Sequence, residues 1–252
     1  MNDQIPDLNK DFLEHGHETF LRHLSVDCVI FGFHENELKV LLLKWKDDGP
    51  WCVPGGFVRK EESLEESVDR VLKERTGLDN IFLRQFHVFS DPAREKKKDS
   101  FPYASKGGWL MERFISIGFY ALVEFSKVSP EADAISEECR WWDVDSVPKM
   151  VFDHNEIFQK ALHVLRMSLN DHPIGYELLP SKFTMPELQK LYETILGKPL
   201  DRRNFQKKML ALGILERQKE RKTGGAHKAP YLYRFNKVKY DRALKLGLKG
   251  GF

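Results

Sequence analysis

Residues 55–78, GGFVRKEESLEESVDRVLKERTGL, constrain the chain more tightly than any other stretch. Gly55 and Gly56 permit close backbone turns ahead of a helix. Ser63 with Glu66 three residues later forms a capping-box start, because each side chain can satisfy an N–H that the first helical turn leaves unpaired. Leu64, Val68, Val71 and Leu72 recur at helical spacing, and Gly77 stands where a left-handed cap is wanted. The stretch therefore reads as a loop feeding a capped amphipathic helix, with Glu62, Arg70 and Glu74 arrayed around it.

Its surroundings are β-rich. VDCVIFGF (Val26 to Phe33) and LKVLLLKW (Leu38 to Trp45) flank HENE, a hairpin turn. IFLRQFHVF, FISIGFYALVEF and CRWWDV supply further strands, and Asp153 to Leu169 supplies a closing helix. This pattern predicts an α/β sandwich over residues 25–170, preceded by an extension over 1–24. In that extension Phe12, Leu13, Phe20 and Leu21 suit either a helix packed across a dimer or a frayed end. The polar segment Lys96–Met111 reads as an insertion between strands, a solvated loop in preference to a lid. Three cysteines, Cys28, Cys52 and Cys139, share no metal-ligand spacing and suit reduced thiols in a cytoplasmic protein. No basic start followed by an apolar run marks a signal peptide, and no apolar run reaches the roughly 18 residues that span a bilayer.

Past NDHPIGYELLP the chain changes character. Residues 1–182 hold 23 Lys and Arg against 32 Asp and Glu, a net −9; residues 183–252 hold 17 against 6, a net +11. Such polarity points to an acidic body carrying a basic module for a polyanion. Thr184 and Glu187 make a second capping box, with Pro186 in the first turn, and Leu188, Leu191, Tyr192 and Ile195 line one face up to Gly197. Asp201 can cap a following helix that turns Phe205, Met209 and Leu212 inward and leaves Arg202, Arg203, Asn204, Gln206, Lys207 and Lys208 for solvent or DNA. Two strands around RKTGGAHKAP then complete a winged helix-turn-helix over residues 171–252. Arg and Asn can read base edges while Lys holds phosphates; Arg221, Lys222, His227 and Lys228 of the wing would reach an adjacent backbone or minor groove. The fold class is thus α+β: an α/β/α sandwich followed by a winged helix-turn-helix. A winged helix also serves elsewhere as a protein-docking module, which would give no operator-sized footprint.

With these residues in view, the 55–78 stretch resembles the Nudix box: a glycine, five residues, a glutamate, seven residues, then Arg-Glu-aliphatic-any-Glu-Glu-any-Gly-aliphatic. Gly56, Glu62, Arg70, Leu72, Glu74, Gly77 and Leu78 fall on it. The resemblance implies a Nudix-type sandwich. In Nudix hydrolases the helix carboxylates hold Mg²⁺ or Mn²⁺ against a pyrophosphate. Here Val71 and Arg75 replace two of those carboxylates, so no metal, no cofactor and no hydrolytic role are expected, and Glu62 and Glu74 suit structural pairing with Arg70. The alternative is a hydrolase of nucleoside diphosphate sugars with a divergent metal site, fed by Glu112, Glu124 or Glu137.

A degenerate box joined to this winged helix resembles the Nudix-related transcriptional regulators of bacteria, from Val26 to about Tyr240. FTMPELQKLYETILGKPLDRRNFQKKMLALGILE carries the likeness most specifically. The resemblance implies a homodimer, double-stranded operator DNA as partner, no membrane, and a small effector sensed without cleavage. NrtR-type members sense ADP-ribose or related nucleotides. Arabinose regulators of the AraR type share the valine after the box arginine, which favours a carbohydrate effector. Candidate effector contacts are Arg59, Asp91, Arg94 and Arg113; DPAR (Asp91 to Arg94) resembles an Asp-Pro-x-Arg stretch of such regulators.

Overall fold

A continuous apolar run from Val26 to Phe31 interrupted only by Asp27 demands burial on both faces of a strand, and all six residues are buried. They lie in β1 (Phe20–His34), which turns at Glu35 and Asn36 into β2 (Glu37–Trp45). Both turn residues have positive φ, 49° and 66°, the geometry of a type I′ turn, whose twist matches the flanking strands. The computed structural model describes residues 10–78, 81, 83–94, 108–125, 132, 135–169, 172–222 and 229–246. Its Cα positions fall into two compact units, residues 1–31, 39–122 and 127–162 in the first, and 32–38, 123–126 and 163–252 in the second.

Among the described residues seven strands form one sheet: β3 (Trp51–Cys52), β2, β1, β6 (Ile115–Glu124) and β5 (Leu83–Phe89) in order. β4 (Gly55–Arg59) pairs antiparallel with β1, and β7 (Ser136–Asp143) pairs antiparallel with β2 from Lys39↔Asp143 to Trp45↔Ser136. Helix α2 (Leu64–Thr76) lays Val68 and Val71 on a cluster with Val26, Cys28, Val58 and Phe119. Burying each such valine stabilises by about 1.5–3 kcal/mol. The capping box of Ser63 and Glu66 forms, and Gly77 closes the helix at φ 71°.

Helix α1 (Lys10–Thr19) packs within its own chain. Gly16 lies against the Trp109 indole, whose Nε1 donates to the Phe12 carbonyl at 2.9 Å. The rings of Phe12, Phe20, Phe57 and Phe114 surround that indole. This corrects the expectation of a solvated loop at the end of the 96–111 segment: Trp109 and Leu110 are 2% and 6% exposed, because four phenylalanine rings offer them an apolar seat. Residues 96–107 lie outside the described residues. The strand expected from Val26 begins at Phe20, where Phe20 pairs with Arg59.

The second unit includes α4 (Met185–Leu196), α5 (Arg202–Ala211) and α6 (Lys237–Leu246), with a sheet ordered β8 (Phe183–Thr184), β10 (Tyr231–Phe235), β9 (Leu215–Arg221). Thr184 and Glu187 form the capping box of α4, Gly197 ends it, and the Asp201 side chain accepts from Asn204 N–H to start α5. Leu188, Leu191, Tyr192, Ile195, Phe205 and Met209 are buried; Leu212 is half-buried. Tyr192 stacks edge-on against Phe205 with centroids 5.3 Å apart, locking the two helices. Helix α3 (His154–Ser168) buries Ile157, Phe158, Ala161, Leu162 and Leu165. Among the described residues no helix is long and apolar enough to cross a membrane.

Candidate functional site

The first unit contains a cavity of about 320 Å³, inside the usual range for a small-ligand site. Its floor is the start of β4 at Gly55 and Gly56 and the α2 face carrying Arg70, Val71, Glu74 and Arg75; Asp27, His154, Phe12, Phe20, Phe57 and Phe114 complete the lining. Both positions fit only as glycine. A Cβ on Gly55 would sit 2.4 Å from Asp27 Oδ1, and one on Gly56 would sit 2.9 Å from a Val71 methyl.

Arg70 organises the surviving box carboxylates. Its Nε and Nη2 donate to the two Glu62 oxygens at 2.9 and 2.6 Å, Nη1 donates to Glu74 at 2.9 Å, and Nη2 also reaches the Phe57 carbonyl at 2.8 Å. Glu62 accepts the Arg59 N–H at 2.6 Å as well, and the Arg70 guanidinium holds its carboxyl down to about 2. Glu74 takes a further bond from Arg59 Nη2 at 3.3 Å. Val71, 1% exposed, is core, and Arg75 presents a cation. This donor set does not fit a Mg²⁺ ion, which wants several converging oxygens. Among the described residues no group of three or more His, Cys, Asp or Glu is placed to hold a metal.

The opposite wall is equally occupied. Asp153, 3% exposed, is clamped by Arg94 through Nε and Nη2, while Arg94 Nη1 donates to the carbonyls of Phe89 and Phe114 at 2.7 and 3.2 Å. Asp27 accepts the Ser116 hydroxyl in a short hydrogen bond. His154 Nδ1 accepts the Val53 N–H at 3.2 Å, which leaves Nε2 facing Asp27 Oδ1 at 3.7 Å; burial lowers its pKa and favours the neutral ring. Phe152, a bulky residue at φ 51°, is held in that unfavourable region between Trp45 and His154.

Of the four effector contacts expected from sequence, Arg94 and Arg113 line the cavity, and Arg113 Nη2 donates to the Ser90 carbonyl. Arg59 and Asp91 are exposed and lie outside the lining: Arg59 reaches Glu74, and Asp91 accepts the Ala93 N–H to form a turn. Sequence reasoning did not single out Asp27, Asp153, His154, Trp45 or Phe152, which converge only through sheet pairing and the α3 entrance. The distant glutamates of the hydrolase alternative also lie outside the lining. Glu112 pairs with Arg22 at 2.9 Å and Glu137 with Lys44 at 2.6 Å.

In the second unit Arg202, Arg203, Asn204 and Lys207 are exposed on α5, while Gln206 and Lys208 are half-buried. Arg221 is held over the Tyr231 ring at 4.0 Å and donates to its hydroxyl at 2.6 Å; Lys222 pairs with Glu187 of the α4 cap. His227 and Lys228 lie outside the described residues.

Two family models match the chain. Residues 21–161 match the NUDIX domain model, and residues 175–235 match the NrtR DNA-binding winged helix domain. The chain is 28% identical over 225 residues to the ADPR responsive transcriptional repressor NtrR of Acinetobacter baylyi, covering 86% of this chain and 84% of that protein. It is 32% identical over 140 residues to the ADP-ribose pyrophosphatase of Methanocaldococcus jannaschii, covering 54% and 73% respectively. The crystal structure of Shewanella oneidensis NrtR superposes with a TM-score of 0.72 at 25% identity, covering 92% of this chain and all of that one. With a Nudix match over more than half its length and an NrtR-type winged helix behind it, the chain belongs to the Nudix family, in its branch of transcriptional regulators.

Proposed function

We propose that this protein is a transcriptional repressor whose Nudix module, residues 25–170, binds ADP-ribose or a close relative, and whose winged helix, residues 171–252, holds operator DNA. The observation that carries the reading is the Arg70 clamp: it occupies both box carboxylates that survive, beside a cavity still large enough for a ligand. A site so arranged binds without activating water. The relative similar over most of its length is an ADP-ribose responsive repressor, which supports the effector class. The valine that favoured a sugar effector on sequence grounds packs against Gly56 and also lines the cavity, and the ADP-ribose responsive relative outweighs it.

The mechanism is a population shift. A homodimer presents two α5 helices to half-sites one DNA turn apart, and the effector favours a spacing that fits the operator less well. Arg202, Arg203, Asn204 and Lys207 contact DNA, with Gln206, Lys208, Arg221, Lys222, His227 and Lys228 as supporting contacts. Hydrolysis is the second reading, favoured by the 32% identity to a pyrophosphatase and opposed by the donor set at α2. Incubating the full chain with ADP-ribose and Mg²⁺ separates the two. The repressor reading expects ADP-ribose to be recovered intact, and rapid release of AMP and ribose phosphate would refute it.

A further inference from the structure

We infer that helix α1 belongs to the effector site and that its Phe12 is a specificity-determining residue, supplying a ring face for the effector's base. The inference deepens the effector reading above and rests on it. Residues 10–19 precede the stretch matched by the NUDIX model, which begins at residue 21, so the family match does not supply this helix. Phe12 nevertheless lines the cavity, together with Phe20, Phe57 and Phe114. The four rings form one cluster: Phe12 lies 5.7 Å from Phe20 and 6.0 Å from Phe57, and Phe57 lies 5.3 Å from Phe114. All four are half-buried, whereas Leu13 and Trp109 of the same cluster are buried, so some phenylalanine surface stays open to the cavity. Charged groups adjoin it: Arg70, which grips Glu62 and Glu74, sits over the Phe20 ring at 6.0 Å. A nucleotide divides in the same way, into a flat base with apolar faces and an anionic diphosphate. Phenylalanine rings stack on a base and offer a diphosphate nothing. What fixes Phe12 is the docking of α1. Trp109 Nε1 donates to the Phe12 carbonyl, and a Cβ on Gly16 would lie 2.7 Å from the same indole, which is buried and packed too closely to yield. Glycine at that position lets the helix come close enough to carry its ring to the cavity.

The test is isothermal titration of ADP-ribose into the full chain, for wild type, Phe12→Ala, Phe12→Leu and Gly16→Val, with thermal unfolding of each. Phe12→Ala should bind about 5- to 150-fold more weakly, the usual cost of removing an aromatic platform from a base. Phe12→Leu keeps apolar bulk against Trp109 but has no ring face; it should lose affinity likewise while unfolding close to wild type. A packing role alone would spare its affinity. Gly16→Val leaves Phe12 in the chain but pushes α1 off the indole, and should weaken binding in the same direction. Wild-type affinity in Phe12→Ala, Phe12→Leu or Gly16→Val would overturn the inference while leaving the effector assignment standing. Failure of wild type to bind ADP-ribose would overturn the effector assignment, and the inference with it.

Discussion

Glu62 shows how one residue changes its work when its neighbours change. Arg70 grips both its oxygens, and the folded carboxyl titrates at about 2 against an ordinary value of 4.5. Because the folded pKa lies below the unfolded one, the pair's stabilisation is complete above pH 4.5 and is lost as pH falls through about 2. Glu62→Gln should therefore cost about 2–3 kcal/mol at pH 7, with the deficit closing in denaturant titrations taken towards pH 2. Gly56→Ala should cost about 1–3 kcal/mol by pressing its Cβ on Val71, and thermal unfolding reads this directly. At this scale the sequence was legible where chemistry is local: the box spacing placed Arg70 beside Glu62 and Glu74. It was not legible for Arg94. DPAR reads as ligand-binding, and Arg94 does line the cavity, but its bond to Asp153, 59 residues away, could not be read from local sequence. Arg94→Ala would leave that buried carboxylate unpaired and should cost about 3–5 kcal/mol.

Helices announced themselves through their ends. Both capping boxes, Ser63–Glu66 and Thr184–Glu187, form as their spacing requires, because a cap depends on residues within one turn. Thr184→Ala should destabilise by about 1 kcal/mol, measured by chemical denaturation of the full chain. Elements that depend on distant partners were hidden. The extension of β1 back to Phe20 needs Arg59 as its pairing partner, and α1 needs the Trp109 indole, which lies some ninety residues downstream. The α5 assignment makes a prediction of its own. Arg202→Ala and Arg203→Ala should each weaken DNA binding, and each lost phosphate contact should reduce the slope of log affinity against log salt by about 1. An unaltered slope would remove these residues from the phosphate-binding face.

For the molecule as a whole, the division of charge is the plainest signal: net −9 over residues 1–182 and net +11 over 183–252. It directs a polyanion to the winged helix. Joining a ligand site to a DNA site gives a switch only if effector and operator prefer different arrangements of the chain. The direct measurement is fluorescence anisotropy of the full chain on a duplex it selects from a randomised library, titrated with ADP-ribose. The account predicts that ADP-ribose lowers operator affinity about 5- to 150-fold, a coupling of about 1–3 kcal/mol, and is recovered uncleaved. Operator affinity that does not move at saturating ADP-ribose, or ADP-ribose consumed during the titration, would contradict it.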